Sequence, residues 1–162
     1  MSAAPNRATA SASKLANAAR NASRLRSAFE RFRPEAVARF GPGDVERLMG
    51  DAGIVRNRAK IEATIANAKA TAALRDGGPT LPELIWERYR PPPRAAPPRT
   101  WAEVPSQTPE TVALSKELKR RGFRFVGPTT LYALMQACGV VDDHLADCQV
   151  RVTSATNRGQ RG

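Results

Sequence analysis

The stretch LKRRGFRFVGPTTLYALMQACG, Leu118–Gly139, decides the fold because it predicts two helices joined by a tight turn. The first helix ends at Gly122, and after four residues Gly127 and Pro128 begin the second helix. Both glycines can adopt a positive φ or allow another backbone to approach closely. Phe123 is expected to anchor the turn inward together with Val126. The pattern therefore predicts a helical hairpin.

The turn carries groups that suit an anion. The unpaired N–H groups and the dipole of the second helix point beyond the turn, where a phosphate fits. This is the pattern of a helix-hairpin-helix that binds DNA backbone without reading sequence. An αα-hairpin with an ordinary glycine cap is the plainer alternative. The predicted DNA-binding residues are Lys119, Arg120, Arg121, Gly122, Phe123, Arg124, Val126, Gly127, Thr129 and Thr130.

Helical patterns also fill most of the chain before the hairpin. Leu25, Phe29 and Phe32 have helical spacing. The stretch PGDVERLMGDAG predicts a helix with one apolar face, formed by Val45, Leu48 and Met49. NRAKIEATIANAKATAAL predicts a longer helix with an apolar side formed by Ile61, Ile65 and Ala68. LPELIWERY predicts another, with Thr80 and Glu83 in capping-box positions and a buried face formed by Leu84, Ile85 and Trp86. Strand signals are almost absent. We therefore predict an all-α bundle of about six or seven short helices.

Composition divides the chain into three parts. Residues 1–24 are rich in Ala, Ser, Asn and Arg, which indicates either a disordered tail or a fraying Ala-rich helix. Residues 25–148 form the predicted helical domain. Within it, RPPPRAAPPR, Arg90–Arg99, is expected to be a stiff surface spacer rather than a proline-motif ligand. Residues 149–162 are predicted to be a basic tail.

The charge balance favours a polyanionic partner. There are 26 Lys and Arg against 15 Asp and Glu, for a formal net charge of +11. Nucleic acid is a commoner partner for such a surface than a membrane, although an arginine-rich genome alone would also produce a basic protein. The 2 cysteines are too few for a disulfide framework. With no secretory signal or apolar span, we expect a cytoplasmic monomer without membrane contact.

Four segments together resemble a known family. They are DVERLMGDAGIVRNRAKIEATIANAKA, EVPSQTPETVALSKELKRRGFRFVGPTTLYALMQACG, VVDDH and the His-x-x-x-Cys spacing. Over residues 25–148 the chain is similar to the DNA-3-methyladenine glycosylase I family of base excision repair. The resemblance implies a helix-hairpin-helix glycosylase fold. It also implies hydrolysis of the N-glycosidic bond of alkylated adenine in double-stranded DNA, after the damaged nucleotide flips into a pocket.

His144 and Cys148 are candidate metal ligands. On a helix their spacing would place both on one face, but a structural zinc needs four ligands. The resemblance implies a structural zinc held by this pair and by a Cys and a His near the N-terminus. Residues 1–24 contain neither residue type, and we expect Cys138 to lie in the core instead. The predicted cofactor is therefore zinc with half of its ligand set.

No catalytic residue can be assigned from the sequence. The resemblance implies that a glutamate and several aromatic residues of the N-terminal region recognise the base, and residues 1–24 hold no counterpart. Glu30 is the first carboxylate, and nothing around it matches. Asp142 and Asp143 lie where relatives in the wider superfamily carry an aspartate. We expect Asp143 to orient His144 as a metal ligand.

The abrupt change near Leu25 leads to three expectations for this polypeptide. It is a glycosylase whose N-terminal segment is truncated or frame-disrupted. Alternatively, it is a non-catalytic helix-hairpin-helix remnant that binds DNA backbone, or a product that barely folds because apolar core is left exposed.

Overall fold

Helices dominate the computed structural model, which describes residues 7–149, with side chains from residue 17 onward. No strand occurs in this range, so the all-α prediction is confirmed. None of the helices described there is long and apolar enough to cross a membrane. The chain divides into two units, residues 1–76 and 77–162. The predicted basic tail lies outside the described residues except for Gln149.

The first unit begins with α1, Arg7–Ala28. Of the two structures predicted for the Ala-rich segment, a disordered tail or a helix, residues 7–24 therefore form the helix. Side chains 17–27 are exposed, and Ala28 is the first buried one. The helix does not continue through the predicted apolar spacing. Residues 30–32 instead form a short turn with φ between 50° and 56°. Phe29 is therefore buried, whereas Phe32 is half exposed.

The core of the first unit forms where α4, Arg58–Arg75, packs against α2, Pro34–Val37, and α3, Pro42–Gly50. The Asn57 side chain caps α4 by accepting a hydrogen bond of 3.1 Å from the backbone N–H of Lys60. The apolar spacing of the two longer helices correctly predicts their buried faces. The buried side chains include Val37, Val45, Leu48, Ile61, Ile65 and Ala68.

The second unit begins with a π-helical turn, Glu83–Arg88. The predicted capping box forms, because Glu83 Oε2 accepts hydrogen bonds from the Thr80 backbone N–H and hydroxyl at 2.6 and 2.8 Å. The backbone bond from Thr80 is the main reason that the pKa of Glu83 is lowered. Leu84 and Ile85 are buried as predicted. The prediction for Trp86 is wrong, because its side chain is 42% exposed.

The proline-rich connector is held in place by hydrogen bonds. Both terminal nitrogens of the Arg94 guanidinium donate to the carbonyl oxygen of Glu103 at 3.2 Å, within the turn Trp101–Glu103. The Pro98 carbonyl accepts a bond of 2.9 Å from the backbone N–H of Ala146. The connector therefore packs along the segment that follows α6, Pro128–Ala137. That helix packs in turn against α5, Pro109–Arg120.

Candidate nucleic-acid interface

The hairpin begins where Gly122 ends α5. Gly122 has a φ of 87°, and its N–H donates to the carbonyl of Lys119 at 3.0 Å. The N–H of Phe123 donates to the carbonyl of Leu118, also at 3.0 Å. These two bonds form a Schellman motif, which requires a left-handed residue where glycine stands. The buried Phe123 ring then anchors the turn, as predicted.

A serine in α5 holds the return of the turn. The buried Ser115 hydroxyl donates a hydrogen bond of 2.7 Å to the carbonyl of Val126, which is half buried. Between the two anchors Phe123 and Val126 lies Phe125, with a φ of 56° and 61% of its surface exposed. Sequence reasoning missed both Ser115 and Phe125. The apolar spacing places Ser115 among leucines of α5, but nothing in the pattern shows its partner across the hairpin.

The start of α6 is open. Gly127 has a φ of −66°, so of the two uses open to glycine here, a positive φ is not the one adopted. A Cβ at Gly127 would meet nothing within 4 Å. No side chain caps the helix, and Pro128 has no N–H. The N–H groups of the exposed residues Thr129 and Thr130 have no acceptor within the helix, which leaves them oriented for an anion.

The positive charge around the hairpin is partly organised by one carboxylate. Residues 117–124 carry four cationic side chains against Glu117, a net charge of +3. Arg121 Nε donates to Glu117 Oε1 at 2.6 Å, and Arg120 donates to Glu117 Oε2. The hydrogen bond from Arg121 is the main reason that the pKa of Glu117 is lowered. Arg120 is 75% exposed, as Lys119 and Arg124 are also exposed, so the surface stays cationic.

The predicted metal ligands do not share a helix face. Residues 142–145 have no helical conformation, and the N–H of Cys148 donates to the carbonyl of Leu145 in a turn. Within the described part of the chain, no three His, Cys, Asp or Glu side chains are arranged to hold a metal ion. Zinc binding by His144 and Cys148 therefore stays a prediction. The core placement of Cys138 is also wrong, since this residue is exposed at the end of α6.

Asp142, not Asp143 as predicted, contacts the ring of His144. Asp142 Oδ1 lies 2.9 Å from Nδ1 of His144. Asp143 is buried, and its Oδ2 accepts hydrogen bonds from the Tyr132 hydroxyl at 2.5 Å and from Gln136 Nε2 at 3.0 Å. Its Oδ1 lies 3.6 Å from Arg94 of the connector. Burial, followed by the bond to Asp143, raises the pKa of Tyr132. This cluster ties the connector to α6.

Comparison with known proteins places this architecture. A family model described as methyladenine glycosylase matches residues 11–152. DNA-3-methyladenine glycosylase 1 of Escherichia coli (strain K12) is 44% identical over 123 residues, which are 76% of this chain and 66% of that protein. DNA-3-methyladenine glycosylase of Haemophilus influenzae is 41% identical over 128 residues, which are 79% of this chain and 69% of that protein. The chain thus spans about two thirds of the length of these relatives.

Solved structures agree with these relatives. A crystal structure of 3-methyladenine DNA glycosylase I matches with a TM-score of 0.76 and 38% identity, covering 82% of this chain and 73% of the other. A structure of a variant of a 3-methyladenine DNA glycosylase I in complex with 3-methyladenine matches with a TM-score of 0.70 and 30% identity, covering 77% of this chain and 67% of the other. The fold is that of an all-α glycosylase. The chain belongs to the methyladenine glycosylase family.

Proposed function

We propose that this chain binds double-stranded DNA through its hairpin, residues 119–130, and acts as a DNA-3-methyladenine glycosylase. The observation that carries the proposal is the basic hairpin with an open helix start, found in a chain of the methyladenine glycosylase family. The proposed reaction is hydrolysis of the N-glycosidic bond of alkylated adenine in base excision repair.

The hairpin can bind a phosphate in three ways. The N–H groups of Thr129 and Thr130 supply donors, and the dipole of α6 adds partial positive charge at the same place. The gap beside Gly127 lets a phosphate oxygen approach the backbone, because no side chain occupies it. Lys119, near the end of α5, and Arg124, in the hairpin turn, add counter-charge. Binding of this kind is independent of sequence and weakens steeply with salt.

Excision needs more than binding. Alkylated purines are good leaving groups, so the fit of the base pocket matters more than strong acid–base help. The sequence offers no residue that matches the pocket glutamate of the family, and Glu30 lies in the exposed turn that follows α1. This favours a second candidate function, in which the chain binds DNA backbone without excising a base.

One experiment separates the two candidates. Purified chain would be incubated with methylated duplex DNA, and released 3-methyladenine would be measured beside a DNA-binding titration. The hairpin variant Arg120→Ala/Arg121→Ala should weaken both signals. The control Arg39→Ala/Lys69→Ala removes the same charge from exposed positions of the first unit and should have a smaller effect.

Each outcome has a distinct meaning. Excision that the hairpin variant reduces supports the glycosylase. Binding without excision supports the second candidate. If the parent chain binds duplex DNA no better than the hairpin variant does, both candidates fail.

Three further properties belong to this proposal. The proposed state is a monomer in the cytoplasm, and light scattering after size exclusion would measure its mass. Zinc stays a prediction from the family resemblance, with His144 and Cys148 as two of its ligands. Metal analysis of the purified chain, with His144→Ala as the comparison, measures it directly.

A further inference from the structure

Phe125 lies at the tip of the hairpin with its ring exposed. Its exposed fraction is 61%, whereas Phe123, two residues earlier, is only 6% exposed. Among the described residues, no ring contact or cation–π contact involves Phe125. The ring thus gains little from the fold, although a large apolar side chain on a surface has an unfavourable interaction with water.

The backbone at Phe125 adds a second cost. Its φ of 56° lies in the left-handed region, which bulky residues rarely occupy. Glycine occupies this region without strain, and Gly122 stands at the other left-handed position of the same hairpin. Stability alone would therefore favour glycine at position 125. An exposed aromatic ring at a strained position indicates a contact made outside the folded chain.

The surroundings of Phe125 indicate what that contact is. Arg124 precedes it, and the open start of α6 follows within three residues. A partner that meets both a cationic surface and an aromatic ring needs negative charge beside an apolar surface. The DNA backbone has both, because each phosphate is joined to a deoxyribose whose C–H groups are apolar.

We propose that Phe125 contacts DNA, with its ring packed against the deoxyribose next to the phosphate bound at the start of α6. The inference rests on the proposed DNA binding of the hairpin and adds an apolar contact to it. Phe123 holds the turn from inside, and Phe125 presents the second ring outward. Left-handed backbone at position 125 directs this ring away from the core that Phe123 enters.

The test compares four variants by DNA affinity at several salt concentrations and by thermal unfolding. Phe125→Ala should weaken binding about tenfold, within the range for loss of one aromatic contact. It should leave the slope of log affinity against log salt unchanged, since no cation is lost. Arg124→Ala should instead reduce that slope by about one. Phe125→Tyr should keep the affinity, and Leu134→Ala, which shortens an exposed apolar side chain of α6, is the matched control.

Phe125→Gly separates contact from folding. Because it relieves the left-handed strain, it should unfold at a temperature equal to or above that of the parent while still losing about tenfold in affinity. The inference is overturned if Phe125→Gly binds like the parent, or if Phe125→Ala loses no more than Leu134→Ala. A parent chain that fails to bind DNA at all would refute the proposed function instead.

Discussion

Replacing Glu117 by glutamine should change both the stability of the chain and its response to pH. Glu117 is buried on α5 and accepts hydrogen bonds from Arg120 and Arg121 with its two carboxylate oxygens. Glutamine has nearly the same shape but no charge, and its amide nitrogen cannot accept. One guanidinium therefore loses its partner, and the other keeps only a neutral acceptor.

The size of the effect follows from the exposure of the two arginines. A hydrogen bond to a charged group contributes about 1.5–3 kcal/mol when it is shielded from water. The Arg121 side chain is 32% exposed, so we place its hydrogen bond to Glu117 near the lower end of that range. The Arg120 side chain is 75% exposed. An ion pair as exposed as the latter contributes about 0–1 kcal/mol. We expect Glu117→Gln to lower the free energy of unfolding at pH 7 by about 1–2 kcal/mol.

The pH dependence has a definite sign. The pKa of Glu117 is lowered in the folded chain, mainly by the hydrogen bond from Arg121. The contribution of ionised Glu117 to the free energy of unfolding is therefore complete above the pKa of the unfolded chain, about 4.3. It is lost as the pH falls through the lower pKa that this side chain has in the folded chain. The difference between parent and Glu117→Gln should be largest at neutral pH and should shrink as the pH falls through the lowered pKa of the folded chain, below which both side chains are neutral.

The assay is urea denaturation followed by circular dichroism between about pH 3 and pH 7. Glu87→Gln serves as the control, because Glu87 is an exposed carboxylate of the same unit. A difference between parent and Glu117→Gln that stays constant across this range would refute the reasoning, since the loss would then come from packing. An equal, pH-dependent loss in Glu87→Gln would refute it as well.

Four further changes test the fold and the hairpin, the first three by denaturation. Gly122→Ala should cost about 1 kcal/mol because φ is positive there, and an unchanged midpoint would contradict the Schellman motif. Leu118→Ala, at a side chain 2% exposed, should cost about 2–5 kcal/mol. A smaller loss would mean that neighbouring side chains move to fill the cavity. Tyr132→Phe should cost about 1–3 kcal/mol by removing a donor to buried Asp143, and an unchanged midpoint would mean that this hydrogen bond does not stabilise the fold. Gly127→Ala should leave stability almost unchanged but weaken DNA affinity, and equal affinity would remove the proposed phosphate position.

Helices that bury one continuous face could be predicted from the sequence. The 3.6-residue spacing correctly identified Val45 and Leu48 in α3, and Ile61 and Ile65 in α4, because burial decides both spacing and structure. Spacing was misleading where the chain turns. The three left-handed residues at 30–32 interrupt a helical pattern without glycine or proline within them, and the nearest local signal is Pro34, two residues further on.

The candidate site was predicted in part. Glycine, proline and basic residues marked the hairpin, because helix ends depend on local chemistry. The contact from Ser115 to Val126 spans 11 positions and depends on how α5 packs against the turn. For His144 and Cys148 the separation of four gives a shared face only on a helix, and residues 142–145 are not helical.

Three unfavourable features of the hairpin have a common explanation if a ligand binds at this position. Gly127 does not need its conformational freedom, α6 starts without a capping side chain, and Phe125 is exposed in a strained backbone. Each feature raises the free energy of the unbound chain relative to an available alternative residue. If the three features were unrelated, they would be expected at scattered positions of the chain. Instead, all three lie within residues 125–128. An anion with an apolar face offsets them together, because it occupies the open N–H groups, fits the gap at glycine and covers the ring. We infer that the hairpin is shaped for a bound state, and DNA has the charge and the surface that this state requires.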